Sequence, residues 1–298
     1  MKEQHPIWYI LNDEFEMGWP TSRLSILSSH LQISFVFHIA LCWLKRWDEK
    51  DGSKDHTVAV VGKSQSEFKL SLSRECDHLL SNYPRDEEET DRLSRIRFSF
   101  CPTLPHLITF LCNLCNQSSK LRSINTGDER LESESRPRAL IIFNSCQYIS
   151  SSPEPTLSSL VELLILIRSV QSFMSSSSDD KNFFPIYLLD RIDHTENWKI
   201  KLDSKDSGSV LRVIQNFFEK TWTIEQILKD SKKGEEEEDE EEGGGESLSF
   251  RLILKSLTNT EHEKPLKEVI YRVFRDKSGN SQDPNGFFEP IRRTIVEK

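Results

Sequence analysis

Few residues in this chain have the type and spacing to do chemistry. Gly18–Ser25 (GWPTSRLS) lies between an apolar run at Pro6–Leu11 and a long apolar helical pattern at Ile26–Trp47. A phosphate-binding loop (P-loop) occupies that position. It offers backbone N–H groups to the phosphates, a Lys to the terminal phosphates and a Ser or Thr to Mg²⁺. Gly18, Pro20 and Ser25 suit such a loop, and Ser22 and Arg23 complete the candidate set. The later glycines are missing, and Leu24 stands where the Lys is needed. Arg23 is a forked donor in a different register and a poor substitute. An ordinary turn before a helix explains the same residues equally well.

Nucleotide hydrolysis also needs an acid at the end of a buried strand, to hold Mg²⁺ or polarise water. The uncharged run Ala139–Phe143 ends at Asn144. An amide carries no charge and is a weak Mg²⁺ ligand. The two defects point the same way: hydrolysis very slow or absent, with weak binding of ATP and Mg²⁺ still compatible. Gly62-Lys63-Ser64 resembles the end of a P-loop, but it lacks the upstream glycine and follows a later strand.

Other constellations favour plain structural roles. Cys112 and Cys115 have C-x-x-C spacing without a second pair, so no zinc site is expected, even with His106 nearby. His38, His56, His78, His106 and His194 have no local catalytic context, and no nucleophile–base set stands out. Arg95 and Arg97, and Lys199 and Lys201 around Trp198, are basic clusters with an aromatic. Single-stranded DNA favours that composition, because bases stack and phosphates need cations. Solvated surface charge is the competing explanation for each cluster.

The elements that must position these residues follow from patterning. Thr57–Val61, Ala139–Phe143 and Phe184–Leu189 are apolar and uncharged, as parallel strands covered on both faces are. Arg95–Phe100 alternates with period two and predicts a strand. Pro105–Cys115 and Leu157–Met174 predict helices, and Val210–Leu228 contains a further helical stretch. Ser249–Lys255 and Glu268–Arg275 predict an antiparallel pair, with a turn-rich tail after Asp276. This alternation is an α/β pattern. One domain is expected: a core over 1–230 with a polar insertion near 116–138, an acidic insert at 231–247, and a closing strand pair and tail over 248–298.

Net charge is −9, but Glu235–Glu242 holds eight acids, leaving −1 for the rest. Charge therefore neither requires nor excludes nucleic acid. Six scattered cysteines and no secretory pattern suggest reduced, intracellular thiols. The early apolar stretch Leu31–Leu44 is shorter than a membrane span. No membrane association is expected.

RIRFSFCPTLPHLITFLCNL (Arg95–Leu114), ALIIFNSCQYISSSPEP (from Ala139), VLRVIQNFFEKTW (Val210–Trp222) and EVIYRVFRDKSG (Glu268–Gly279) together resemble small paralogs of the eukaryotic RecA-type recombinase. The likeness is closest to the subunit that pairs with a SWIM-type zinc-finger protein in Shu-like complexes. The chain departs from that family's P-loop, GxPGSGKT, at Thr21, Arg23 and Leu24, and has extra residues around Ile26–Gln32. The resemblance implies a RecA-like, mostly parallel sheet flanked by helices, with a C-terminal antiparallel strand pair and disordered inserts. It further implies a nuclear accessory role in homologous recombination, partnered by the SWIM-type protein, a RecA-type recombinase and single-stranded DNA. The alternatives are a DNA-stimulated ATPase of the same pathway and a RecA-like scaffold in an unrelated complex, such as a tRNA-modifying hexamer.

Overall fold

The structure, a computed structural model, describes residues 23–27, 33–52, 54–74, 87–123, 137–153, 155–176, 184–191, 213–214, 216–218, 220–227, 246–256, 267–275 and 288–295. Its strands are β1 (Arg23–Leu27), β2 (Thr57–Gly62), β3 (Ile96–Phe100), β4 (Pro137–Phe143), β5 (Ile186–Asp190), β6 (Lys220–Ile227), β7 (Glu246–Ser256), β8 (Lys267–Arg275) and β9 (Phe288–Ile295). Its helices are α1 (Ser34–Asp51), α2 (Gln65–Arg74), α3 (Glu87–Ser94), α4 (Leu104–Ser123), α5 (Ser145–Ser150) and α6 (Leu157–Ser176).

The nine described strands form one sheet in the order β3-β2-β4-β5-β1-β6-β7-β8-β9. From β3 to β6 every pairing is parallel, and from β6 to β9 every pairing is antiparallel. The molecule is thus α/β, with a mostly parallel sheet flanked by helices. The antiparallel part is longer than the expected pair. Within Val210–Leu228, positions 213–214 and 216–217 are helical as expected, but Lys220–Ile227 forms β6, and β9 lies in the tail expected to be turn-rich. The TWTIEQI run of β6 is rich in β-branched residues, which outweighs a helical spacing of its apolar positions.

The expected helix over Ile26–Trp47 divides into β1 and α1. α1 continues past Trp47 to Asp51 and closes on Gly52. Gly52 takes the left-handed conformation (φ 63°) and donates its N–H to the Asp48 carbonyl. Acidic residues after 86 form α3, and part of the polar insertion continues α4 to Ser123. Glu246 and Ser247, expected in the acidic insert, begin β7; 228–245 lie outside the described residues.

The central strands are apolar because they face helices on both sides. Val58 and Val60, Ala139, Ile141 and Phe143, and Tyr187 and Leu189 point to α1 and Phe68 of α2. Their alternates, Ala59 and Val61, Leu140 and Ile142, and Ile186 and Leu188, point to α4, α5 and α6. The period-two side-chain alternation of a strand builds both cores at once. On the first face the Trp43 indole N–H donates a 2.6 Å bond to the Tyr187 hydroxyl, so a buried polar group is satisfied. On the second face α6 buries Leu160, Leu163, Leu164, Ile167, Val170 and Met174. It is long and apolar enough to cross a membrane by length and composition, and its buried stripe packs as a core helix does.

These connections fix where a crevice can open. The helices following β1 and β2 cover one face, and those following β3 and β4 cover the other. β2 and β4 are parallel neighbours whose following helices lie on opposite faces of the sheet. In open α/β sheets, ligands settle beyond the strand carboxyl ends at such reversals.

Candidate functional site

Three strand ends meet at this crevice: Gly62 of β2, Phe143 of β4 and Asp190 of β5. After Phe143 the chain turns sharply. Asn144 has φ 56° and ψ 47°, the left-handed region that Asn tolerates better than most residues. This turn starts α5 and aims residues 144–146 back at the end of β5. The Asn144 N–H donates to the Leu189 carbonyl at 2.7 Å, and Asn144 Oδ1 accepts the Arg191 N–H at 3.3 Å.

A buried polar cluster sits behind the turn. Asp190 and Ser145 are both fully buried. Ser145 Oγ donates to Asp190 Oδ2 at 2.7 Å, and the Cys146 N–H donates to Asp190 Oδ1 at 2.8 Å. Burial pushes the Asp190 carboxyl up to about 6, although the bonds from Cys146 and Ser145 pull the other way. The Cys146 thiol is raised well above its ordinary value by burial and by the adjacent Asp190 carboxylate. A buried thiol of that kind is inert.

In front of the turn lies a cleft of about 260 Å³, lined by Lys63, Ser64, Glu67, Asn144, Gln147 and Arg191 among others. Lys63 Nζ donates to Ser151 Oγ at 2.7 Å and so ties the end of β2 to the end of α5. Ser64 starts α2: its carbonyl accepts the Phe68 N–H and its hydroxyl accepts the Glu67 N–H at 3.3 Å. Gln147 Nε2 reaches Glu67 Oε2 at 3.4 Å. The arrangement offers donors and two cations, with no nucleophile–base pair among them.

No family model matches the chain, and no curated protein matches it.

Of the residues expected to bind nucleotide, Arg23, Ser25 and Asn144 are among the described residues. Arg23 and Ser25 are strand residues of β1, not loop residues, and Ser25 is fully buried. Leu24 is in the same strand. Gly18, Pro20 and Ser22 lie outside the described residues. The connection that leads from β1 into α1 comprises positions 28–33, Ser-Ser-His-Leu-Gln-Ile, with neither Gly nor Lys. The apparent excess around Ile26–Gln32 is therefore this connection together with the end of β1. Asn144 does occupy the end of β4, as expected, but its side-chain oxygen is taken by the Arg191 N–H.

Of the residues proposed to meet DNA, Arg95 is structural. It is buried and forms a bidentate pair with Asp48, Nη1 to Oδ1 and Nη2 to Oδ2 at 2.8 Å each. Arg92 Nε also donates to Asp48 Oδ2 at 2.8 Å, so α3 is clamped to the last turns of α1. Burial would raise the Asp48 carboxyl, but the bonds from Arg95 and Arg92 outweigh it and hold the carboxyl below its usual range. Arg97 is exposed on β3, a margin of the sheet. Trp198, Lys199 and Lys201 lie outside the described residues. Cys112 and Cys115 lie on α4 and are not joined in a disulfide.

Sequence reasoning missed Asp190 because it looked for an acid only after β4. The signal was present in YLLD, an acid closing an uncharged apolar run. Gly62–Ser64 resembles a P-loop ending without the upstream glycine, and it follows β2. That strand proves to border the cleft.

Proposed function

We propose that this chain is a non-catalytic accessory subunit of homologous recombination, with a RecA-like core kept for binding. Its partners in this reading are a SWIM-type zinc-finger protein and a RecA-type recombinase, with single-stranded DNA as a weaker contact, in the nucleus. The architecture supports it: a mostly parallel sheet covered by helices, with an antiparallel extension, is what the sequence resemblance implies. The single observation that carries the non-catalytic part is the connection between β1 and α1. Positions 28–33 hold no glycine to approach a phosphate closely and no lysine to neutralise one. Asn144 agrees with it, being uncharged and already committed to the Arg191 N–H. Asp190 does not replace the missing acid, because it is fully buried and both its oxygens accept bonds from residues 145–146.

The test is ATP turnover by the purified full chain, with and without single-stranded DNA. Phosphate release at the background rate in both is expected. DNA-stimulated turnover that copurifies with the chain would overturn the non-catalytic reading and favour an ATPase of the same pathway.

A further inference from the structure

The cleft between the ends of β2 and β4 carries a charge pattern that a non-catalytic core does not need. Lys63 and Arg191 line it from two different strand ends, and Glu67 is the one carboxylate among the lining residues described. The half-buried Arg92 and the buried Arg95 share the Asp48 carboxylate. Among the described residues Lys63 bonds to the neutral Ser151 hydroxyl, and Arg191 bonds through its backbone N–H. Among the described residues neither side chain is paired with a carboxylate.

The neutral groups add to the same pattern. Asn144 spends its oxygen on the Arg191 N–H, so its amide NH₂ is what it has left to give. Ser64 supplies a hydroxyl, and Gln147 donates through Nε2. Two cations and several neutral donors converge where the sheet topology opens a crevice. A phosphate group, multiply charged and rich in acceptor oxygens, matches that set better than a planar, singly charged carboxylate. A cleft of about 260 Å³ is larger than one phosphate group and admits a second phosphate or an attached sugar.

We propose that this cleft binds the phosphate groups of a small phosphorylated ligand, with Lys63 and Arg191 as charge partners and Ser64 and Asn144 as neutral donors. Glu67 opposes the anion and keeps the affinity moderate. The site uses no residue of the β1–α1 connection, so it stands or falls separately from the accessory role proposed above.

Pyrophosphate titrated calorimetrically into the full chain tests it. Saturable binding is expected. Lys63→Met and Arg191→Met should each weaken it at least about tenfold, the scale of one lost charge-assisted hydrogen bond. Glu67→Gln should tighten it. Far-ultraviolet circular dichroism verifies that each variant is folded, and Arg191, being exposed, is the safer of the two cation removals. Absence of saturable binding by the folded wild type overturns the proposal. So does wild-type affinity in either folded cation variant. Neither failure would alter the turnover or partner-capture results, which do not depend on this cleft.

Discussion

Ser145 Oγ donates to Asp190 Oδ2 across 2.7 Å, joining the turn after β4 to the last residue of β5 in a site closed to solvent. The consequence is a pH dependence of known sign. Burial raises the folded-state carboxyl of Asp190 to about 6, above its ordinary value of 3.8. The folded state therefore holds a proton that the unfolded state has released. The stability linked to this group is full below the unfolded value and is lost as pH rises through about 6. Urea unfolding should show stability falling between about pH 4 and about pH 6.5 and levelling off above, and Asp190→Asn should flatten that fall. A wild-type chain equally stable across this window would contradict the assignment. Asp48 acts oppositely and does not interfere. Its carboxyl is held low, so its contribution is lost only as pH falls below the ordinary carboxylate range.

The Asp48–Arg95 pair should be costly to break from one side. Arg95 is 7% exposed and Asp48 13%, so removing the carboxylate leaves a guanidinium with little access to water. Asp48→Ala is expected to cost about 3–5 kcal/mol of unfolding free energy. A loss below about 1 kcal/mol would place the pair with ordinary surface ion pairs instead.

Asn144 combines two roles that substitutions can separate. Alanine loses the Oδ1 acceptor and also suffers in the left-handed region. The combined cost is about 2 kcal/mol, the sum of a conformational and a hydrogen-bond contribution. Glycine loses the acceptor but accepts the backbone conformation, so Asn144→Gly should be the milder change. Equal losses in the two variants, measured by chemical unfolding, would show that the φ of 56° is not what selects Asn here.

Arg95 and Arg97 look alike in the sequence and should behave differently. Arg97→Ala, on an exposed position of β3, should leave stability within about 0.5 kcal/mol. If that strand meets nucleic acid, the same change should lower the salt slope of single-stranded DNA binding by about one. An unchanged slope would remove Arg97 from the proposed contact. Arg95→Ala should lose stability instead, through Asp48 and the clamp on α3.

The two arginines show where the sequence was legible. Their clustering and the period-two alternation placed β3 correctly, because strand pattern is local. That Arg95 turns inward depends on Asp48, 47 residues away, and no local pattern carries that. The central strands β2, β4 and β5 were legible for the same local reason: both faces are covered, so the runs are uncharged. β1 was not. Its five residues, RLSIL, merge with the apolar spacing of α1, and the loop was placed one element too early. The candidate cleft was the least legible part. Lys63, Asn144 and Arg191 are far apart in sequence, and only the reversal of strand order brings them together.

The accessory-subunit account is tested most directly by affinity capture of the full chain from cells after nuclease digestion. The account predicts recovery of a SWIM-type zinc-finger protein together with a RecA-type recombinase, retained when DNA has been destroyed. Recovery of neither, or of a ring of other RecA-like subunits without a zinc-finger partner, would contradict it.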